Sequence, residues 1–414
     1  MATVDVVVGL AFGDEGKGTV TEAIAPQRGV KLVVRFNGGA QMAHHVVLPD
    51  GREHCFSQWG SGTFHGARSF LSRFVLVNPI AALSEARHLE RVEVTEPLRL
   101  LYVDRDAVIT TPFHVAANRL RELARGDRRH GSCGMGIGET VDDILRMHDV
   151  IHAGLLDDKD ELRKHLKACQ ERKRAEIIPL LHEVSLQSAW PATQELAMLE
   201  DPDAVDDVMA LYGRFADPVT LVDRTFLARE VEEHGHIIFE GAQGVLLDQD
   251  FGFQPHTTWS KCTLANANAL LADSQPELVR NLGVMRTFFT RHGAGPLPTE
   301  SSDMAQWIAD DHNAYGPWQG SFRVGAFDIG LARYALMCAT GIDGLVLTHM
   351  DKVASLPHVG IGLDRNEGGL WNEAEIGAFD YGGAEMYARK ISEILGVPLA
   401  MTAWGKTWKD KREL

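Results

Sequence analysis

The stretch of this chain best suited to chemistry is Gly13-Asp14-Glu15-Gly16-Lys17-Gly18. An apolar run of β type, Val4–Leu10, leads into it, and a segment that reads as helix follows. A glycine-bearing turn between a buried strand and a helix aims backbone N–H groups and a helix N-terminus at an anion, and a lysine adds a point charge. Phosphate is the ligand that such a loop holds. The loop departs from the usual P-loop pattern, because Gly18 follows Lys17 where a Ser or Thr would hold magnesium. Asp14 is the strong acid–base candidate inside it, so the loop is expected to do chemistry as well as bind.

Further segments combine glycine with polar side chains. Arg35–His45 ends a strand in a glycine turn and two histidines, His44 and His45. Gly131–Gly138 is glycine-rich around Ser132 and Cys133. Glu240–Asp248 contains Gly241-Ala242-Gln243-Gly244, and Thr290–Glu300 and Leu347–Asp351 follow. Taken singly, each has a plain reading as a tight turn, a surface histidine or a helix cap. Their number and order, most of them behind an apolar run, argue for loops gathered at one edge of a sheet.

The elements that must position these loops follow from periodicity. Lys31–Phe36, Ser72–Val77, Leu98–Tyr102, His236–Glu240, Leu278–Thr287 and Gly344–Thr348 read as strands. Ala81–Glu93, Pro112–Ala124, Tyr334–Thr340 and Ala384–Leu395 read as helices. This alternation predicts an α/β fold, a mostly parallel central sheet flanked by helices, with ligands at the carboxyl edge. Residues 155–235 are helix-rich and charged, and are expected to form a helical insertion within a single large α/β domain spanning 1–414. The polar stretch Gln187–Asp206 is expected to hold a connection.

Composition narrows the function. The chain has 414 residues and a formal charge of −16, which opposes broad binding to nucleic acid. Its five cysteines are odd in number and lack CxxC spacing, so a reducing, cytoplasmic setting is expected. The N-terminal region lacks a signal-peptide pattern, and no window approaches about 20 uninterrupted apolar residues, so no membrane partner is expected.

In that order, Val7–Gly18, Val33–His44, Gly131–Gly138, Phe239–Asp248, Thr290–Glu300 and Leu347–Asp351 resemble the signature segments of the adenylosuccinate synthetase family. The resemblance spans nearly the whole chain. It implies a GTP-dependent C–N ligase that phosphorylates the 6-oxygen of IMP and lets aspartate displace the phosphate. By that resemblance, Asp14 takes the N1 proton of the base and holds Mg²⁺ with the backbone carbonyl of Ala43, and His44 acts as the general acid. Lys17, with Gly13, Glu15, Gly16 and Gly18, holds the phosphates of GTP. Asp351 reads the guanine base, beside His349 and Gly405. Gln243 touches the acceptor purine, while Gln41, Ser132, Cys133, Arg146 and Thr258 fall in the acceptor-phosphate site. The family also implies a homodimer in which one subunit lends an arginine to the other.

Several positions depart from the family. The amine-donor loop reads Gly316–Gly325, with Trp318, Gln319 and Phe322 where paired threonines and an arginine-rich run are usual; Arg323 is its remaining cation. Gln41 replaces an Asn, Cys133 a Thr, and His349 a Lys. The partner arginine aligns with Met147, with Arg146 adjacent. Three functions therefore stand: adenylosuccinate synthesis; a related GTP- or ATP-dependent ligase acting on another purine, such as deoxyguanylate or a purine analogue, or with another amine; and a nucleotide switch without ligase chemistry. Retention of Asp14, Lys17, His44 and Gln243 together weighs against the last.

Overall fold

A computed structural model describes residues 2–126, 132–181, 190–233, 235–308, 321–355, 359–362, 376–379 and 383–414. Ten strands form its main sheet: β1 (Thr3–Gly9), β2 (Leu32–Arg35), β3 (Arg68–Leu71), β4 (Leu101–Asp104), β5 (Thr220–Val222), β6 (His236–Glu240), β7 (Leu278–Arg286), β8 (Gly344–Thr348), β9 (Leu399–Ala403) and β10 (Lys411–Glu413). Their order is β10-β9-β8-β7-β1-β6-β2-β3-β4-β5. Each neighbouring pair is parallel except β9 with β10. The sheet is α/β and mostly parallel, as the alternation of elements predicts.

β1 shows why the strands read as apolar runs rather than alternations. Val4, Val6 and Val8 pack into one core with Leu32, Val34 and Phe239, while Val7 packs into another with Val33, Ile238 and Val284. Both faces are covered, so both must be apolar. The exception is Asp5, buried between neighbouring strands and neutralised by His236 at 2.8 Å and by Arg280 Nε and Nη2 at 2.6 and 2.8 Å. Such a charge is tolerated in a core only with hydrogen-bonded partners.

After β1 the chain lays β2 to β5 on one side, returns to place β6 beside β1, and continues with β7 to β10 on the other side, so the order reverses beside β1. A crevice opens at such a point, outside the carboxyl ends of the strands. The helix α1 (Lys17–Arg28) starts there, after Gly16 in the left-handed region (φ 91°), and ends at Gly29 (φ 61°). Residues 155–235 supply helices Lys159–Leu181, Trp190–Glu200, Ala204–Ala216 and Phe226–Glu233, and also the edge strand β5. Leu162, Leu166, Tyr212 and Phe215 share one core cluster with Phe113 and Leu120 of the helix Pro112–Arg125. Among the described residues no helix is long and apolar enough to cross a membrane.

The bounds of β6, β8 and the helix Ala384–Leu395 fall where periodicity puts them. Three expectations are corrected. Of the strand expected at Ser72–Val77 only Leu76–Val77 is extended: β3 lies earlier and ends at Leu71, and the Val75 N–H turns back onto the Ser72 carbonyl. The strand expected from Leu98 begins at Leu101, since Pro97–Leu100 forms a 3₁₀ turn. Within Gln187–Asp206, residues 187–189 lie outside the described residues, and much of the remainder is helical rather than a loose connection.

Candidate active site

One cavity of about 1180 Å³ lies over the carboxyl ends of the central strands. Its wall carries Asp14, Lys17, His44 and Gln243 from the loops after β1, β2 and β6. Asp351, His349 and Gly405, from behind β8 and β9, line it too, as do Gln41, Ala43, Ser132, Cys133, Arg146 and Thr258. Trp318 and Gln319 lie outside the described residues.

The loop after β1 is braced from within. Glu15 is fully buried, and its Oε1 accepts from the N–H groups of Ala11 at 3.0 Å and Gly13 at 2.9 Å. Its other oxygen pairs with the Lys17 ammonium. The Glu15 side chain thus shapes the loop and supports Lys17. Gly18 is explained by crowding: a Cβ there would sit 2.7 Å from the His44 Cβ and 2.9 Å from the Ser61 Oγ. The position after Lys17 makes room for His44 instead of supplying a metal-binding hydroxyl.

Asp14, Gln243 and His349 all hold positive φ (58°, 54° and 60°). Non-glycine residues rarely do so, and the strain gathers where side-chain direction matters. Burial raises the Asp14 carboxyl, but a hydrogen bond from His292 and the charges of Arg286, His292 and Lys17 outweigh it and hold the pKa below the ordinary carboxylate value. Asp14 is therefore ionised at neutral pH.

His44 sits on a buried charge network. Its Nδ1 lies 2.7 Å from Glu240 Oε1, and Arg35 donates to Glu240 Oε2 at 3.0 Å. Arg35 and Glu240 stand opposite one another in the register of β2 and β6. The Ser61 N–H adds a bond to Glu240 at 2.9 Å. Burial and the neighbouring Arg35 push His44 down to about 4, against the raising effect of Glu240. Burial alone would raise Glu240; the charges of Arg35 and His44, with the bonds from His44 and Ser61, hold it at about 2. Sequence reasoning assigned no role to Arg35, Ser61 or Glu240. The available signal was a charge at the end of each of two apolar strand runs.

The remaining glycine segments are joined by longer-range ties. Asn37 exchanges two hydrogen bonds with the backbone of Ala242, at 3.1 and 2.7 Å, joining the second glycine segment to the fourth. Asn118 donates to Ser132 Oγ at 3.0 Å and accepts from the Gly136 N–H at 3.2 Å, which shapes the third. Both amide atoms of Gln41, and the Oε1 of Gln243, are buried without a hydrogen-bond partner. Buried amides of this kind point to a polar ligand. Burial pushes the Cys133 thiol up, so it is protonated. Arg146 stands on the rim, 62% exposed and paired with Asp142 at 2.8 Å.

Arg323 is placed differently from the other candidates. Its guanidinium forks onto the Glu300 carboxylate and donates to the carbonyls of Gly293 at 3.0 Å and Gly295 at 2.7 Å. It ties together the strands Phe289–His292 and Phe322–Gly325 and does not line the cavity. Arg291 points to carbonyls of Ala294, Pro296 and His256 and is likewise committed.

The donor set suits Mg²⁺. Asp14 offers a hard carboxylate oxygen on a partly exposed side chain, and Ala43 is exposed on the same wall. Lys17 beside them matches the remaining negative charge of a triphosphate.

Comparison with known proteins identifies the family. A family model described as adenylosuccinate synthetase matches residues 6–376. The adenylosuccinate synthetase of Neisseria meningitidis serogroup B is 29% identical, covering 98% of this chain and 97% of that protein. That of Bordetella pertussis is 28% identical, covering 97% and 94%. Among solved structures, fully ligated adenylosuccinate synthetase from Plasmodium falciparum superposes with a TM-score of 0.78 at 21% identity, covering 99% of both chains. Cyanophage S-2L succinoaminodeoxyadenylate synthetase, bound to dGMP and to dATP as energy donor, gives a TM-score of 0.63 at 17% identity, covering 100% of this chain and 95% of that one. With the family model spanning most of the sequence, the chain belongs to the adenylosuccinate synthetase family of GTP-dependent ligases that form carbon–nitrogen bonds.

Proposed function

We propose that this protein makes adenylosuccinate from IMP, aspartate and GTP. The reading is carried by the convergence of Asp14, Lys17, His44 and Gln243 on one cavity. Asp14 accepts the N1 proton of the hypoxanthine ring, which leaves O6 as the nucleophile toward the γ-phosphorus. GDP departs as the O6–P bond forms. The amine of aspartate then attacks C6, the C6–O6 bond breaks, and inorganic phosphate leaves with the former carbonyl oxygen. Oxygen alone is a poor leaving group, and phosphate a good one. Lys17 would hold the β- and γ-phosphate oxygens. His44, oriented by Glu240, would donate toward the transferring group. Mg²⁺, held by Asp14 and the Ala43 carbonyl, would supply charge neutralisation on the triphosphate.

Asp14 is ionised and so a weak base by itself. Proton removal depends on negative charge reaching O6 beside Lys17 and His44. Asp14→Ala is expected to abolish turnover and leave GTP affinity largely intact. The direct test uses IMP labelled with ¹⁸O at C6. Label recovered in inorganic phosphate, dependent on GTP and aspartate, supports the reading; label absent from phosphate removes it.

A second reading concerns substrate choice. Arg323 is engaged by Glu300 and two carbonyls, so the remaining cation of the donor segment is committed within the fold. A dicarboxylate amine wants bidentate cations. This favours a less acidic amine on the same phosphoryl-activation step, and the changed acceptor-side residues Gln41 and Cys133 extend the reading to a purine acceptor other than IMP. Mass analysis of products from a panel of purine monophosphates and amino acids separates the two. Arg146, exposed at the rim, is the residue we assign to completing a neighbouring subunit's site in a homodimer.

A further inference from the structure

His292 closes the strand Phe289–His292 and stands opposite Phe322 in the antiparallel pair. Its Nε2 lies 3.1 Å from Asp14 Oδ2, and its ring packs against Phe322 with centroids 5.1 Å apart. From the main-chain side, Arg286 Nε donates to the Asp14 carbonyl at 2.5 Å. Asp14 is thus gripped twice, once at its backbone and once at its carboxylate, while its φ of 58° turns the side chain into the cavity. An ionised carboxylate only accepts hydrogen bonds, so the Nε2 of His292 carries the hydrogen between them.

We propose that His292 is a positioning residue for Asp14. It engages one carboxylate oxygen and thereby presents the other to the base edge of the acceptor. The inference rests on Asp14 acting as the base, as argued above. A group that orients a reacting carboxylate need not touch substrate; loss of such a partner typically costs roughly 10–100-fold in activity. Phe322 sets the plane of the imidazole from the opposite strand. The two-stranded ribbon whose second strand, Phe322–Gly325, ends the amine-donor segment therefore fixes the proton acceptor.

The test compares His292→Val with His292→Gln. Valine suits a strand and removes the donor; the glutamine amide restores an N–H close to the Nε2 position. The expected result is a kcat lower by roughly 10-fold or more for His292→Val, with KM for GTP and acceptor within about twofold. His292→Gln recovers most of the rate, and both variants melt close to the parent. Asp14→Asn is measured in parallel. Full turnover by Asp14→Asn overturns the base reading and the inference with it. An inactive Asp14→Asn beside a fully active His292→Val, or beside a His292→Gln as slow as His292→Val, overturns the positioning role and leaves the base reading standing.

Discussion

The Nδ1 of His44 lies 2.7 Å from Oε1 of Glu240, and that contact dictates the tautomer of the ring. A carboxylate cannot donate, so Nδ1 carries a hydrogen. In the neutral ring Nε2 is then a bare lone pair. With His44 pushed down to about 4 by burial and Arg35, the free protein holds this neutral form at pH 7. Donation to a phosphoryl oxygen requires the imidazolium. An incoming polyanion supplies the missing stabilisation, so GTP binding is expected to draw up to one proton into the site. Titration calorimetry in buffers of different ionisation enthalpy measures this uptake. The uptake should shrink in His44→Gln; equal uptake in both proteins would separate His44 from the donor role.

The same dyad sets the acid limit of the fold. Glu240 is held at about 2 in the folded state against 4.5 unfolded, and His44 at about 4 against 6.5. In both cases the unfolded chain binds more protons in the intervening window, so stability falls as pH falls. The His44 contribution is lost between pH 6.5 and 4, and the Glu240 contribution between pH 4.5 and 2. Melting temperature followed against pH should decline through both windows. Glu240→Gln should flatten the lower one. It should also lower stability at neutral pH, by about 3–5 kcal/mol, because it leaves buried Arg35 without its counter-charge.

Gly18 offers a test of packing against pattern. Placing Ser after Lys17 would restore the usual phosphate-loop sequence, yet its Cβ would lie 2.7 Å from the His44 Cβ, an atom near the backbone that cannot swing away. Gly18→Ser is therefore expected to lose stability by about 1–3 kcal/mol and to lose activity as His44 is displaced from Glu240. Gly213→Ala is the control: it lies in the helix Ala204–Ala216, where an added Cβ would meet nothing within 4 Å. Chemical denaturation of both variants distinguishes the cases. A Gly18→Ser protein as stable and active as its parent would contradict the crowding.

Much of this architecture was readable from residues alone, and the misses share a cause. Strands such as His236–Glu240 announce themselves because both faces are buried, which makes the run continuously apolar. The helix Ala384–Leu395 ends legibly at Gly396, in the left-handed region (φ 68°). Glycine loops carrying Asp14 and Gln243 were visible because close backbone approach demands glycine. Register was not visible. Arg35 meets Glu240 only because β2 and β6 are neighbours with those residues opposed, a fact held by no local window. The inward turn of the Glu15 side chain depends on the path of the loop around it, with Gly13 at φ 87° and Asp14 at 58°. The pairing of Arg323 with Glu300 depends on the ribbon between them. Local chemistry was legible, whereas long-range partners required the fold.

The family resemblance implies that Asp351 reads the guanine base, which gives a last prediction. Asp351 is the second residue of the short helix Met350–Ser355, just after β8, on the cavity wall with Gly405 and Lys406. A carboxylate accepts from both the N1–H and the 2-amino group of guanine, whereas adenine lacks that donor pair. Each hydrogen bond to a charged group contributes about 1.5–3 kcal/mol. Asp351→Asn replaces one acceptor with a donor. Its amide N–H would complement xanthine, which carries an oxygen at the 2-position. The variant is expected to raise KM for GTP by roughly 10- to 100-fold and to prefer XTP, with kcat little changed. Steady-state phosphate release with GTP, ATP and XTP reads this directly. An Asp351→Asn protein with parental selectivity would place base recognition elsewhere on the wall, with His349 the next side chain to vary.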